Sequence, residues 1–148
     1  MAKMNDVDFI TQIIITEFNF LNNLGYVLKI KKQTESNFSE FLNFEFTSNA
    51  KKRKVNISFT KGRVGDSNKF SFNATIARIP YSDPTIDFFS LNSYLNSLNL
   101  NLHSTLSNTF NRNDVMVIIT NLAEALNKYA LKIIDGRAWV EGYYPKWN

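Results

Sequence analysis

Cysteine and histidine, two residue types that are frequent in catalytic sites, are almost absent from this chain of 148 residues. It has no cysteine and a single histidine, His103, so disulfides, thiolate nucleophiles and cysteine-ligated metals are excluded. A metal site would need oxygen ligands, and no EF-hand-like run of alternating Asp and Asn is present. His103 has the chemistry of a lone general base. Because no nucleophile is marked beside it, an enzyme centred on His103 is our third hypothesis, and we expect no catalytic site, cofactor or metal.

A dense run of positive charge is the second feature with binding chemistry. Lys51, Lys52, Arg53 and Lys54 follow one another at the predicted tip of a β-hairpin. In nucleic-acid-binding proteins such a run neutralises phosphates, whereas lysines at strand ends also discourage edge pairing between sheets. The aromatic residues of the flanking strands are predicted to face inward, which leaves no platform for stacking bases. A nucleic-acid-binding module that uses this loop is therefore the alternative hypothesis.

Both tryptophans of the chain lie in its C-terminal segment, Arg137 to Asn148. Tryptophan and tyrosine offer large, rigid contact areas with a polar atom, which is typical of binding hot spots. The other interpretation is that Ala138 to Tyr144 forms an edge strand or covers the core. The two are compatible if some rings face inward and others outward. The predicted partner-binding set joins the basic run to the aromatic residues of this segment: Lys51, Lys52, Arg53, Lys54, Trp139, Tyr143, Tyr144 and Trp147.

Alternation of apolar and polar residues predicts the sheet that positions the basic run. A period of two is typical of strands with one buried face. The predicted strands are Tyr26 to Lys32, Phe38 to Thr47, Lys54 to Thr60 and Lys69 to Ile79. Their connections are short enough for hairpins, which predicts an antiparallel meander. Pro80 and Pro84 are expected to end the sheet, because proline removes an amide donor and restricts the residue before it.

Helical periodicity is found on both sides of the predicted sheet. The opening helix is expected to be capped by Asp6 and to end before Gly25. The closing helix is expected to be capped by Asn113 or Asp114 and to stop at Gly136. These two amphipathic helices and a half-apolar sheet can bury one another. We therefore predict a single α+β domain over residues 1–148, in two layers: an N-terminal helix, a four-stranded antiparallel meander, and C-terminal helices packed on one sheet face.

Between Pro84 and the closing helix the pattern is less regular. Phe88, Leu91, Leu95 and Leu98 recur at intervals of three or four, which favours a helix. Asparagine and serine are frequent in the same stretch and compete for backbone hydrogen bonds. A short helix followed by an irregular or extended stretch is equally compatible with this composition.

Charge and hydropathy indicate the cellular location in which the protein is expected to act. The net charge is +4 and the pI is about 9.3, a small excess that solubility alone explains. Asp6 and Asp8 interrupt the first residues where a signal peptide needs an apolar stretch, and no run approaches the ~18 apolar residues of a membrane span. We expect a cytoplasmic protein with no membrane contact. The outward strand positions are polar, which favours a monomer.

Four stretches carry a resemblance to a known group of proteins. These are the phrase LNNLGY (Leu21 to Tyr26), the short-turn meander, FFSLNSYL (Phe88 to Leu95) and NLAEALNKYALKIIDG (Asn121 to Gly136). In the order of these four stretches, the chain resembles small bacterial cytoplasmic immunity proteins. Such proteins pair with polymorphic or contact-dependent toxins. The resemblance implies a non-enzymatic protein that binds and occludes one cognate toxin. Immunity proteins against nucleases are frequently acidic, whereas this chain is basic, which favours a toxin with an acidic surface.

Overall fold

The computed structural model describes residues 5–33, 38–63, 66–80, 87–100, 106–107 and 111–139. It has an α+β architecture, as predicted, in which an antiparallel sheet is combined with helices towards both ends of the chain. No helix within these ranges is long and apolar enough to cross a membrane.

The N-terminal helical segment is divided into two helices, α1 (Asp6–Glu17) and α2 (Asn19–Asn23). Asn5 caps α1, because its side-chain oxygen accepts a hydrogen bond of 2.8 Å from the Asp8 backbone N–H. The expectation that Asp6 is the cap was therefore wrong by one position. Asparagine caps as well as aspartate does, and this start leaves Asp6 and Asp8 in the first turn, where negative charge favours the helix.

The predicted end of this segment at Gly25 is confirmed. Gly25 has a φ of 94°, a value that glycine adopts without the steric cost of a Cβ. The Tyr26 N–H then reaches back to the Leu21 carbonyl at 3.0 Å, and the Gly25 N–H reaches Asn22 at 3.0 Å. This Schellman arrangement satisfies the last carbonyls of α2 and directs the chain into the sheet.

Among the described residues the sheet has six strands: β1 (Val27–Gln33), β2 (Phe38–Ser48), β3 (Arg53–Arg63), β4 (Asp66–Arg78), β5 (Phe88–Ser90) and β6 (Leu106–Ser107). Their order is β1-β2-β3-β4-β5, all antiparallel, and β6 also pairs with β4. The four long strands are those predicted, whereas β5 and β6 were missed. Phe88 lies three residues before Leu91, so the helical spacing hid a strand of only three residues that pairs Phe89 with Ile76.

One face of the sheet is buried. Alternate residues of the three longest strands and the apolar residues of the helices join one cluster, in agreement with the predicted strand parities. Its strand members are Leu42, Phe44, Phe46, Val55, Ile57, Phe59, Phe70, Phe72, Ala74 and Ile76, each at most 3% exposed. Phenylalanine rings meet across strands, for example Phe59 and Phe72 with centroids 5.0 Å apart. This burial fixes the register, because a shift of one residue would expose every ring.

Three helices follow the long strands: α3 (Leu91–Ser97), α4 (Arg112–Tyr129) and α5 (Leu131–Ile134). Ser90 caps α3, so the short-helix interpretation of this stretch is confirmed over seven residues. Asn111 caps α4 by accepting from the Asn113 and Asp114 N–H groups, which corrects the predicted cap by two residues or more. The closing helix also breaks at Ala130 before Gly136 (φ 87°) ends α5.

The opposite face of the sheet, here called the open face, carries polar side chains. Its polar residues on the three central strands include Asn43, Glu45, Lys54, Asn56, Ser58, Thr60, Ser71, Asn73 and Thr75. Asn73 is exposed and the others are half-buried. Thr60 and Ser71 hydroxyls are hydrogen-bonded across strands at 2.8 Å. Glu45 lies between Lys31 and Lys54, with ammonium to carboxylate distances of 3.3 and 3.2 Å.

A basic groove as the candidate functional site

Arg53 organises the end of the molecule where the β2–β3 hairpin meets the C-terminal helices. Its guanidinium donates at 2.9 Å to the Ile133 carbonyl and at 2.9 Å to the Ala138 carbonyl. It also donates to the carbonyls of Lys52 and Lys51, at 3.0 and 3.2 Å. One side chain thus links the hairpin tip to the chain around α5. Arg53 is only 6% exposed, so the expectation that it lies on the surface of the hairpin was wrong.

The sequence contained a signal for this inward position. Arg53 shares the odd-numbered parity of Val55, Ile57 and Phe59, which all face the core. The third strand was predicted to start at Lys54, whereas β3 starts at Arg53. Arg53 is therefore the first inward-facing residue of β3. Its burial is tolerated because the guanidinium finds carbonyl acceptors for its donors.

Tyr26 supports the same segment from the other side. Its hydroxyl donates to the Ile134 carbonyl, and the residue is only 1% exposed. Two consecutive carbonyls at the end of α5 are thus capped, Ile133 by Arg53 and Ile134 by Tyr26. Burial raises the pKa of the Tyr26 phenol far above its ordinary value, so it remains a neutral donor. Burial also lowers the pKa of Arg53, against the effect of the nearby Tyr26 oxygen, but arginine stays charged at neutral pH.

Trp139 lies against this network. The guanidinium carbons of Arg53 and Arg78 are 4.9 and 5.0 Å from its ring centroid, within the range of cation–π contacts. The Phe89 ring meets Trp139 edge-on at 5.4 Å. Arg78 is held by Asp87 through contacts of 2.8 and 3.0 Å. Trp139 is half-buried and packs on the core, as the covering interpretation of this segment predicts for that ring.

Beside Trp139 is a groove of about 600 Å³. We call it the basic groove, and its lining residues are Tyr94, Lys128, Tyr129, Leu131, Lys132, Ile133, Arg137, Ala138 and Trp139. This volume falls within the range of protein sites for small ligands or side chains, roughly 300–1,000 Å³. Three aromatic residues and three aliphatic ones supply apolar surface, and three cations supply charge. None of the described residues that line the groove is acidic.

The cations of the basic groove are accessible. Lys128, Lys132 and Arg137 are all exposed, and the Arg137 side chain is 64% exposed. The Lys128 ammonium lies 5.2 Å from the centroid of the Tyr129 ring. Arg137 forms an ion pair with Asp135, just outside the lining. Burial alone would raise the pKa of Asp135, but hydrogen bonds from the Arg137 backbone and guanidinium lower it below the ordinary value. Asp135 is thus a carboxylate at neutral pH.

The four residues of the basic run point to different places. Arg53 lies inside, and Lys54 lies on the open face with Glu45. Lys52 is exposed at the tip with a φ of 57°. Lys51 lies against the chain after α5, since a Cβ added at Gly136 would be 3.3 Å from the Lys51 Cβ. Lys51 is half-buried and Lys52 is exposed, and neither is among the described lining residues of the basic groove.

The remaining predicted site residues, Tyr143, Tyr144 and Trp147, lie outside the described residues, as does His103. Sequence reasoning missed most of the groove, namely Tyr94, Lys128, Tyr129, Lys132 and Arg137. Lys128 and Lys132 stand four residues apart on either side of Tyr129 in the phrase NKYALK. Side chains at this spacing share one face of a continuous helix. This spacing was the sequence signal that could have indicated a cationic surface at the end of the closing helix.

A second groove of about 580 Å³ lies on the open face. Its lining includes Glu45, Lys54, Asn56, Arg78 and Phe88, so a carboxylate here accompanies the cations. Buried in the same region, the Asn56 side-chain oxygen has no hydrogen-bond partner. Across the described part of the chain, no three His, Cys, Asp or Glu residues come together in a way that could hold a metal ion.

Comparison with known proteins assigns no family to this chain. No protein-family model matches the sequence, and neither the curated proteins nor the solved structures contain a significant match.

Proposed function

We propose that this protein is a non-enzymatic binding module that docks a partner protein in the basic groove. The observation that carries the proposal is the combination of exposed Lys128, Lys132 and Arg137 with aromatic rings in one groove whose described lining residues include no acidic one. Tyrosine, tryptophan and arginine dominate binding hot spots because they bury large areas and retain polar contacts. The groove contains all three of these residue types.

The groove is also built to keep its shape. Arg53 and Tyr26 fix the carbonyls at the end of α5, and Arg53, Arg78 and Phe89 contact the Trp139 ring. A site whose side chains are already ordered loses less conformational entropy when a partner binds. A pre-organised surface with a strong charge is well suited to fast and specific association.

The more specific form of the proposal is that the partner is a cognate bacterial toxin and that this chain is its immunity protein. The resemblance in element order to immunity proteins supports it, as does the absence of a marked catalytic group in the sequence. The protein would act as a cytoplasmic monomer that occludes the toxin sterically. A groove rich in cations favours a toxin whose contact surface is acidic.

The test begins with the gene immediately upstream. It is expected to encode a large protein with a C-terminal toxin domain, which should co-purify with this chain and lose its toxicity when the two are co-expressed. Arg137→Glu should weaken protection, whereas Lys29→Glu, on exposed β1 away from the groove lining, should protect like the wild type. A toxin domain from an unrelated locus is the control for specificity. A gene without such a neighbour, or a toxin that stays active in the presence of this chain, would contradict the immunity role.

Nucleic-acid binding is the second candidate, favoured by the same cations beside aromatic rings. It predicts binding of DNA or RNA that weakens steeply as salt rises, because counterions are released from phosphates. Gel-shift titration at low salt with wild type, Lys132→Glu and Lys29→Glu separates site binding from general attraction. If no complex forms at low salt, this candidate is removed.

A further inference from the structure

The basic groove has a charge that the described residues of its lining do not balance. Lys128 and Lys132 are exposed cations, and none of the described residues of the lining is a carboxylate. Arg137 is paired with Asp135, a carboxylate outside the described lining. A complementary ligand is therefore anionic, and charge complementarity favours it in both rate and specificity.

The aromatic rings of the groove distinguish between two kinds of anion. Bases of single-stranded nucleic acid stack on open ring faces. Here two guanidinium groups already lie over the Trp139 ring, at 4.9 and 5.0 Å, and the Lys128 ammonium lies over Tyr129 at 5.2 Å. Each of these two rings therefore already has a cation against it, which leaves less ring surface for a stacked base. The edges of aromatic rings carry partial positive charge, so they suit carboxylate oxygens and the edges of other aromatic rings.

From these two observations we infer that the basic groove binds an extended acidic segment of a protein partner, in which carboxylates alternate with aromatic side chains. The inference rests on the proposed function and names the chemistry of the partner's contact surface. The carboxylates pair with Lys128, Lys132 and Arg137 at the rim of the groove. The aromatic side chains pack against Tyr94, Leu131 and Trp139 between them.

Asp135 has a defined part in this recognition. Its carboxylate accepts hydrogen bonds from the Arg137 backbone and guanidinium. It therefore occupies a guanidinium N–H of Arg137 that an acidic segment would use. Asp135 is an internal competitor of the partner. Replacing it by asparagine removes one negative charge beside the groove and releases Arg137, so binding of an acidic segment should become tighter. A groove that prefers cationic or neutral ligands would respond in the opposite way or not at all.

The experiment uses the full chain and measures fluorescence anisotropy with three labelled probes. These are a peptide of alternating Glu and Phe, the same peptide with Gln in place of Glu, and a single-stranded oligo-dT. We expect the Glu/Phe peptide to bind, the Gln/Phe peptide to bind at least about tenfold more weakly, and oligo-dT not to compete. Lys132→Glu should weaken binding of the Glu/Phe peptide about tenfold, and Asp135→Asn should strengthen it about twofold to threefold. Lys32→Glu, exposed on β1, is the matched charge control and should change it less than about twofold.

Equal binding of the two peptides, displacement of the Glu/Phe peptide by oligo-dT, or an affinity unchanged by Lys132→Glu would overturn the inference. These outcomes are separate from those of the proposed function. If the Glu/Phe peptide binds as described and no toxin is found, the immunity role fails and the recognition chemistry stands. If a toxin is neutralised equally well by Lys132→Glu, the immunity role stands and the acidic-segment inference fails.

Discussion

Two grooves of similar size, about 600 and 580 Å³, differ in how their charges are balanced. On the open face, Glu45 pairs with both Lys31 and Lys54, so a carboxylate of the sheet offsets part of their positive charge. In the basic groove, Lys128, Lys132 and Arg137 are exposed and the described lining has no carboxylate, although Arg137 is paired with Asp135 outside that lining. Volume therefore does not distinguish a site for a charged partner from an ordinary depression in the surface. The exposed lysines without a carboxylate among the described lining residues do.

The same two regions differ in how they are held together. The basic groove is supported by buried polar groups, in which Arg53 and Tyr26 satisfy carbonyls that water cannot reach easily. The open face is linked by ion pairs between partly exposed side chains. Removing a partner from a buried network costs far more than removing one from a surface pair. Substitutions should therefore have large effects beneath the groove and small effects on the open face.

Arg53→Met should give the largest loss of stability. It removes the donors to the Ile133, Ala138, Lys51 and Lys52 carbonyls at once, while the Ile133 and Lys52 carbonyls keep backbone bonds from Gly136 and Ile79. We expect the free energy of unfolding to fall by roughly 3 kcal/mol, measured by urea denaturation. Lys52→Met, exposed at the adjacent position, is the control and should cost less than about 0.5 kcal/mol. Equal losses for the two variants would show that Arg53 is not the link between the hairpin and α5.

Tyr26→Phe should have an intermediate effect. It deletes one buried hydroxyl and leaves the Ile134 carbonyl without its donor, which is expected to cost about 1–2 kcal/mol in unfolding free energy. The matched control is Tyr129→Phe, because Tyr129 is 36% exposed and loss of its hydroxyl should cost less than about 0.5 kcal/mol. If both variants unfold at the same denaturant concentration, Tyr26 contributes packing alone.

Glu45→Gln should give the smallest effect, and one that depends on pH. Burial tends to raise the pKa of Glu45, but its bonds to Lys54 and Lys31 outweigh burial and lower it below the ordinary value. A carboxylate whose folded pKa is lowered stabilises the fold above its unfolded pKa, and that contribution is lost as the pH falls through the folded value. At pH 7 the variant should therefore be less stable by about 0.5 kcal/mol.

The difference between wild type and Glu45→Gln should then shrink once the pH falls below about 4.3, the ordinary pKa of glutamate. Urea denaturation at a series of pH values measures it. A difference that is constant from neutral to acidic pH would mean that the ion pairs on the open face contribute nothing to stability.

The sequence predicted the parts of the fold that depend on repeated local patterns. The alternation of Phe44, Phe46, Val55 and Ile57 fixed which side of the long strands is buried, because each position repeats the same signal. Gly25 marked a helix end for a reason confined to its own backbone. The predicted caps differed from the observed ones, Asn5 and Asn111. Several neighbouring residues have cap-forming side chains, and only the local geometry selects among them.

The site was harder to predict because it depends on contacts between distant segments. Arg53 bonds to Ala138, 85 positions later in the chain, and no local pattern reports that contact. The basic run was treated as one surface, although a strand sends successive side chains to opposite faces, which places Arg53 inside and Lys54 on the open face. Trp139 was identified from its residue type alone, and its role in the groove depends on Arg53 and Arg78.

The most direct test of the central claim compares two charge-reversed proteins for binding to the toxin domain encoded upstream. Lys128→Glu with Lys132→Glu changes the basic groove, and Lys29→Glu with Lys32→Glu makes the same change in charge on exposed positions of β1. Dissociation constants are measured by titration calorimetry, with circular dichroism to confirm that both variants fold. We predict that the groove variant binds at least about a hundredfold more weakly than the wild type and that the β1 variant binds within about threefold of it. Equal weakening of both variants, or no weakening of the groove variant, would contradict the assignment of the basic groove as the binding site.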